Sequence, residues 1–171
     1  MKRLNRRVLH RYACLIILAT VAAWPSAGWS RRARHACDVN TVVPMLLQNW
    51  ANQLSRSSPS SPMPIISTYA DNGVLLPTCA NGPLTGRAEI KGYFVGFLKP
   101  QPAATFDMAT AKIGGDCTHP FASGLYTFKL NDGTQLQARY TYVFRQTGAT
   151  TWLIAQHHSS LEPESKSACP H

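Results

Sequence analysis

The sequence is short of acid. Eight Asp and Glu stand against 17 Lys and Arg, a formal charge of +9. Such an imbalance suggests a nucleic-acid partner, but it is concentrated at one end. Lys2, Arg3, Arg6, Arg7 and Arg11 fall within the first thirty residues, which hold no acid, and Arg31, Arg32 and Arg34 follow. From Cys37 onward nine bases face eight acids. The folded part therefore has no general basic surface, and nucleic acid is not the expected partner. Other signatures are missing too. No apolar run reaches the ~20 residues that span a bilayer. No Gly-x-Ser-x-Gly or His-Glu-x-x-His offers hydrolytic chemistry. No Cys-x-x-Cys is present, only Cys117-Thr118-His119, so neither a metal nor another cofactor is expected.

What is present first is an address. A basic stretch leads into Ala13-Cys-Leu-Ile-Ile-Leu-Ala-Thr-Val-Ala-Ala-Trp24, then the small residues of Pro25-Ser-Ala-Gly-Trp-Ser30. This order reads as a secretory signal peptide over residues 1–30, with a basic arm at 31–36. Its alternative is an uncleaved membrane anchor. Export to the periplasm or beyond agrees with the cysteines. Cys14 leaves with the signal, and Cys37, Cys79, Cys117 and Cys169 form an even set of disulfide candidates. Three pairings are open. At 171 residues the chain suits one domain, expected over residues 37–163, with a polar tail at 164–171.

Within that domain helices come first. Asp38 can cap a helix from Val39 to Leu54, whose Val42, Val43, Leu46, Leu47, Trp50 and Leu54 recur at three and four. Pro44 lies in its first turns, where proline is best tolerated. A Ser- and Pro-rich loop follows to Pro64, then a helical turn over 65–70. Asp71-Asn72-Gly73 signals a turn, and Val74 to Leu76 a buried strand ended by Pro77. Gly86 to Leu98 is the second main helix, with Ile90, Tyr93, Phe94, Phe97 and Leu98 as its stripe. Gly92 and Gly96 could admit a close neighbour. Everything after Ala103 alternates. Strands are expected over 104–113, 122–130, 134–145 and 150–160, with hairpin turns at Asn131-Asp-Gly133 and Thr147-Gly148. Long antiparallel strands after helices give an α+β fold with a bent sheet wrapped around a helix.

The candidate site residues lie on the last two strands. Arg139 shares a face with Gln137, Thr141 and Val143, opposite Ala138, Tyr140, Tyr142 and Phe144. An arginine there must reach water, a carboxylate or a ligand anion; Glu89, Asp107 and Asp116 are its candidate structural partners. His157 and His158 point to opposite faces and cannot readily share a metal. Strict alternation from Trp152 groups Ile154, Gln156, His158 and Ser160 against Leu153, Ala155, His157 and Ser159. One histidine is expected to face a pocket. It is a general-base candidate, although a structural hydrogen-bonded role is commoner.

Several phrases occur in order: Tyr69-Ala-Asp-Asn-Gly-Val-Leu-Leu-Pro-Thr78, Gly124-Leu-Tyr-Thr-Phe128, Ala138-Arg-Tyr-Thr-Tyr-Val-Phe144 and Trp152-Leu-Ile-Ala-Gln-His-His-Ser-Ser160. Together they resemble the association (hub) domain of calcium/calmodulin-dependent protein kinase II, in the form bacteria export. That family lies in the SnoaL-like, nuclear transport factor 2-like superfamily. The resemblance covers Cys37 to Pro163. It implies a cone-shaped curved antiparallel sheet closing over N-terminal helices, with a pocket at its open end. It also implies homodimers formed through the sheets, and larger rings. The pocket is expected around Trp50, Tyr69, Tyr93, Arg139, Thr141, His157, His158 and Ser159, holding a small carboxylate or apolar ligand. The kinase members carry an arginine where Ser159 stands. Kinase chemistry is not implied, since no kinase motif is present. Steroid-isomerase-like members of the superfamily place an aspartate base near the end of the strand that here reads Leu75-Leu76-Pro77-Thr78-Cys79, with no carboxylate. The expected function is thus a non-catalytic, exported small-ligand-binding and homo-oligomerising module. The alternative is a small isomerase, hydrolase or cyclase using His157 or His158 as acid and base.

Overall fold

A computed structural model of the chain describes residues 37–163. The expected signal peptide, basic arm and tail, and Cys169, lie outside the described residues.

The first helix forms where the periodicity places it. Helix α1 spans Val39–Ser55. The Asp38 carboxylate caps it, accepting from the Asn40 N–H at 3.0 Å and from the Thr41 hydroxyl at 2.9 Å. These donors hold the Asp38 pKa below its ordinary value. A one-turn helix α2, Met63–Ile66, leads into strand β1, Tyr69–Leu76. The Asp71-Asn72-Gly73 triplet is therefore not a turn before the strand but part of it. Strand β2, Leu84–Thr85, precedes helix α3, Gly86–Phe97, whose Ile90 and Phe94 are buried one turn apart. Gly92 and Gly96 face open space, so no neighbour uses their small size.

Four long strands follow: β3 Ala103–Gly114, β4 Phe121–Lys129, β5 Gln135–Gly148 and β6 Thr151–Leu161. They pair consecutively and antiparallel, as the hairpin signals require. The sheet order is β2-β1-β6-β5-β4-β3. One pairing departs from the antiparallel expectation. β1 runs parallel to β6, so the sheet is mixed. A parallel pair needs a long crossover, and here α3 with the β3–β5 meander supplies it. Turn signals reveal neighbours in sequence, and this pair is distant in sequence.

The helices cover one face of the sheet. Trp50 of α1 is the centre of that core. Its indole meets the rings of Phe106, Tyr126, Phe128, Tyr142 and His157, which come from all four long strands, at centroid distances of 5.5–6.5 Å. Val43, Leu47, Leu54, Ile65, Ile66 and Leu75 complete the packing. Burying one such side chain contributes roughly 1.5–3 kcal/mol, so Trp50 ties the helix layer to every long strand. A disulfide, Cys37–Cys117, pins the start of α1 to the β3–β4 connection. It settles one of the open pairings, and Cys79 is disulfide-bonded as well.

Irregularities bend the long strands and decide which way side chains point. Val143 pairs with Gln156 while Phe144 pairs with Ile154, so Ala155 is an extra residue in β6. The bulge reverses the alternation. Ile154 lies on the buried face with His157 and Ser159, not with Gln156 and His158 as strict alternation predicts. β1 is irregular between Tyr69 and Val74. There Gly73 lies so close to Ile154 that a Cβ would sit 3.0 Å from its carbonyl oxygen.

Candidate functional site

The residues expected to form one pocket divide between the two faces of the sheet. Trp50, Tyr69, Tyr93, His157 and Ser159 belong to the helix-covered inner face. Arg139, Thr141 and His158 lie on the outer face, lining one concavity there. The reason is the two-residue period of the strands: His157 is the register partner of Tyr142, and His158 of Thr141. The structure brings together the members of each group and keeps the groups apart.

The inner group is held by a chain of hydrogen bonds. The Trp50 Nε1–H donates to the Tyr69 hydroxyl at 3.2 Å, and that hydroxyl lies 2.8 Å from His157 Nδ1. Indole is only a donor. The arrangement leaving fewest groups unpaired has the Tyr69 O–H donating to Nδ1. A neutral His157 then carries its proton on Nε2. Burial enforces neutrality. His157 is 3% exposed, and desolvation, aided by the neighbouring His158 charge, pushes its pKa down to about 3. Its ring stacks on Tyr142, centroids 4.0 Å apart. His157 Nε2 and the Tyr142 hydroxyl are both buried without a hydrogen-bond partner among the described residues.

A second chain runs toward the end of β1. The Tyr126 hydroxyl donates to Ser159 Oγ at 2.5 Å, and Ser159 Oγ lies 2.7 Å from Thr78 Oγ1. Tyr93, half-buried, directs its hydroxyl to the Thr78 carbonyl at 3.4 Å. Burial raises the pKa of Tyr69, Tyr93, Tyr126 and Tyr142, so each stays a neutral phenol. None of the buried residues described on this inner wall is acidic. Asp71, the third residue of β1, is turned outward to an exposed ion pair with Arg87 at 2.8 Å. Arg87 in turn donates from Nε to the Tyr69 carbonyl.

Arg139 does not join any acid proposed for it. Its Nε–H donates to Ser160 Oγ at 3.1 Å. Glu89 accepts from the Thr85 N–H, Asp107 from the Ala109 N–H, and Asp116 from the Thr118 and His119 N–H groups. Three hydroxyl-bearing residues stand outside the expected site set: Tyr140 and Tyr142, which alternation sets opposite Arg139, and Thr78, just past the end of β1. Their hydroxyls, on residues otherwise packed in or against the core, were the available signal.

Two concavities are described, and neither includes His157. One, of about 630 Å³, lies between α1 and β3 and is lined by Met45, Gln48, Asn52, Phe106 and Met108, with no charged group. The other, of about 460 Å³, is on the outer face. No cluster of three or more metal-binding side chains occurs among the described residues. No described helix is long and apolar enough to cross a membrane.

Comparison with known proteins agrees with the fold. Residues 45–163 match the SnoaL-like domain. A Xanthomonas campestris protein assigned as a calcium/calmodulin-dependent protein kinase II association domain is similar at 34% identity. The match covers 71% of this chain and 86% of that one, with a TM-score of 0.63. A Nostoc punctiforme protein with a cystatin-like fold matches at 14% identity over 74% of this chain and 93% of its own, TM-score 0.57. A Parabacteroides distasonis protein assigned as a ketosteroid isomerase matches at 14% identity over 71% and 86%, TM-score 0.58. At such identities the last two speak to the fold alone. No curated protein matches.

Proposed function

The chain belongs to the SnoaL-like family, and on that footing we propose that it is an exported, non-catalytic module that binds a small ligand and associates with copies of itself. The ligand site is the inner wall of His157 and Tyr142, approached from Tyr93, Thr78 and Ser159. One observation carries this reading: His157 Nε2 and the Tyr142 hydroxyl, on rings stacked with centroids 4.0 Å apart, are both buried without a partner among the described residues. An unsatisfied buried polar group costs roughly 1–3 kcal/mol. A ligand that accepts from both relieves that cost. The surrounding rings of Trp50, Tyr69 and Tyr142 favour a neutral, aromatic or apolar molecule with a carbonyl or hydroxyl oxygen.

The same groups argue against catalysis. A histidine with a pKa near 3 is a poor base at neutral pH, and no buried carboxylate stands beside it among the described residues. Arg139 and His158 lie across the sheet and take no part in this site. Export is supported by the Cys37–Cys117 disulfide, which persists in an oxidising compartment. The exposed Leu76 and Phe121 support self-association through the outer sheet face.

Native mass spectrometry of the exported chain tests this. The expected result is an oligomer carrying a small neutral molecule, lost on His157→Phe substitution. A chain that arrives empty, and whose melting temperature no neutral aromatic or apolar compound raises, contradicts the binding half. A monomer at all concentrations contradicts the other half.

A further inference from the structure

Cysteine count and sheet topology together point to the partner of Cys79. Five cysteines occur in the chain, and Cys37–Cys117 uses two of them. Cys79 is disulfide-bonded as well, so within one chain its partner is Cys14 or Cys169. The expected signal peptide, once cleaved, takes Cys14 with it. That leaves Cys169 for the exported chain.

Topology gives the same answer. Cys117 lies at the end of the sheet where β6 begins, its carbonyl accepting from the Trp152 Nε1–H at 2.7 Å. Cys79 lies at the opposite end. It is three residues past Leu76, the register partner of His158 on the parallel strand β6. Its neighbour Thr78 is held there, with Oγ1 2.7 Å from Ser159 Oγ and the carbonyl accepting from the Tyr93 hydroxyl at 3.4 Å. β6 ends at Leu161 at this same end, and the Glu162 N–H donates to the Gln137 carbonyl as the chain leaves the sheet. Cys169 is seven residues beyond Glu162, a reach of about 23 Å. Ser159 lies three residues back from Glu162, about 10 Å, and β1 is one strand spacing further, about 5 Å. The chain is therefore long enough to return to Cys79. At Cys79 φ is +64°, a left-handed conformation that persists where the surroundings impose it. A cross-link is such a restraint.

We infer that Cys79 and Cys169 form a second disulfide, which fastens residues 163–169 as a strap across the ends of β6 and β1. The bond forms by exchange with a disulfide oxidant of the export compartment. The two thiols lose two protons and two electrons, and the oxidant leaves as a dithiol. The two disulfides then staple opposite ends of one sheet. The strap closes over Thr78, Ser159 and Tyr93. Where the inner wall binds a ligand, as proposed above, those residues are its approach. The bond then controls entry, and its reduction to two thiols opens the site.

Peptide mapping of the exported chain, alkylated and digested with trypsin without reduction, tests the bond. Trypsin cuts after Arg56, Arg87 and Lys166, so the expected product is peptide 57–87 joined to peptide 167–171. An alkylated Cys79, or Cys79 joined to Cys14 or to a second chain, overturns the inference. Hydrogen exchange tests the strap. The double variant Cys79→Ser, Cys169→Ser keeps Cys37–Cys117 and the core around Trp50, so the fold is retained. In it, backbone amides around Thr78 and Ser159 exchange at least ~10-fold faster, and those of α1 are unchanged. Unchanged rates at both strand ends overturn the strap even where the bond is found. Neither measurement uses a ligand, so an inner wall that binds nothing contradicts the binding reading and leaves both results as they are.

Discussion

The imidazole of His157 lies flat on the phenol ring of Tyr142, centroids 4.0 Å apart and planes 17° from parallel, because the two are register partners on β6 and β5. The contact fixes the ring, and the Tyr69 hydroxyl fixes its tautomer. What is left is a single N–H directed away from both.

Stability falls with acid. In the unfolded chain a histidine takes its proton near pH 6.5, but folded His157 does so only near pH 3. Between these values the unfolded state binds more protons, so stability declines as pH falls. At roughly 1.4 kcal/mol per pH unit the loss is about 2 kcal/mol at pH 5. Urea unfolding at pH 7 and pH 5 measures it, and His157→Gln removes this dependence. A wild-type curve that is flat across that range shows His157 to be open to solvent.

Tyr69→Phe strands both neighbours in the hydrogen-bond chain. Trp50 Nε1–H loses its acceptor and His157 Nδ1 its donor, both in the core. The expected cost is about 2–4 kcal/mol by chemical denaturation. A cost below about 0.5 kcal/mol contradicts the chain as drawn.

The Cys37–Cys117 bond closes a loop of 80 residues. Replacing both cysteines with serine lowers stability by about 4–5 kcal/mol on the loop-entropy estimate. Peptide mapping under non-reducing conditions identifies the bond directly, and a Cys37–Cys79 peptide is the result that excludes it.

Two glycines should respond in opposite directions. Gly73→Ala pushes a methyl against the Ile154 and Ala70 carbonyls, at 3.0 and 3.1 Å, and costs about 1–3 kcal/mol. Gly92→Ala faces open space on α3 and gains about 0.5–1 kcal/mol of helix propensity. Thermal melts of the two variants compare them. Equal effects remove the argument that Gly73 admits the close approach of β6.

Much of this was legible in the residues themselves. The apolar spacing of α1 and α3 and the hairpin turns placed two helices and four strands within a few residues of their bounds. Two facts were not legible. The parallel pairing of β1 with β6 depends on contacts across some eighty residues, and no turn chemistry announces it. The bulge at Ala155 was hidden because alanine fits either parity, yet it decides that Ile154 shares a face with His157. The single pocket expected around Arg139 and the histidines divided for a related reason. Phrase resemblance carries residue identity, but strand parity carries direction. Arg139 was rightly set opposite Tyr140 and Tyr142; His157 and Ser159 then fall on the tyrosines' side.

The state of His157 carries the account, and nitrogen-15 NMR of its imidazole measures that state directly. The account predicts a neutral ring protonated at Nε2, unchanged from pH 7 down to about 4, whose Nε2–H signal moves when a ligand binds. A ring that titrates near 6.5, or that carries its proton on Nδ1, would contradict it and return His157 to the role of proton carrier.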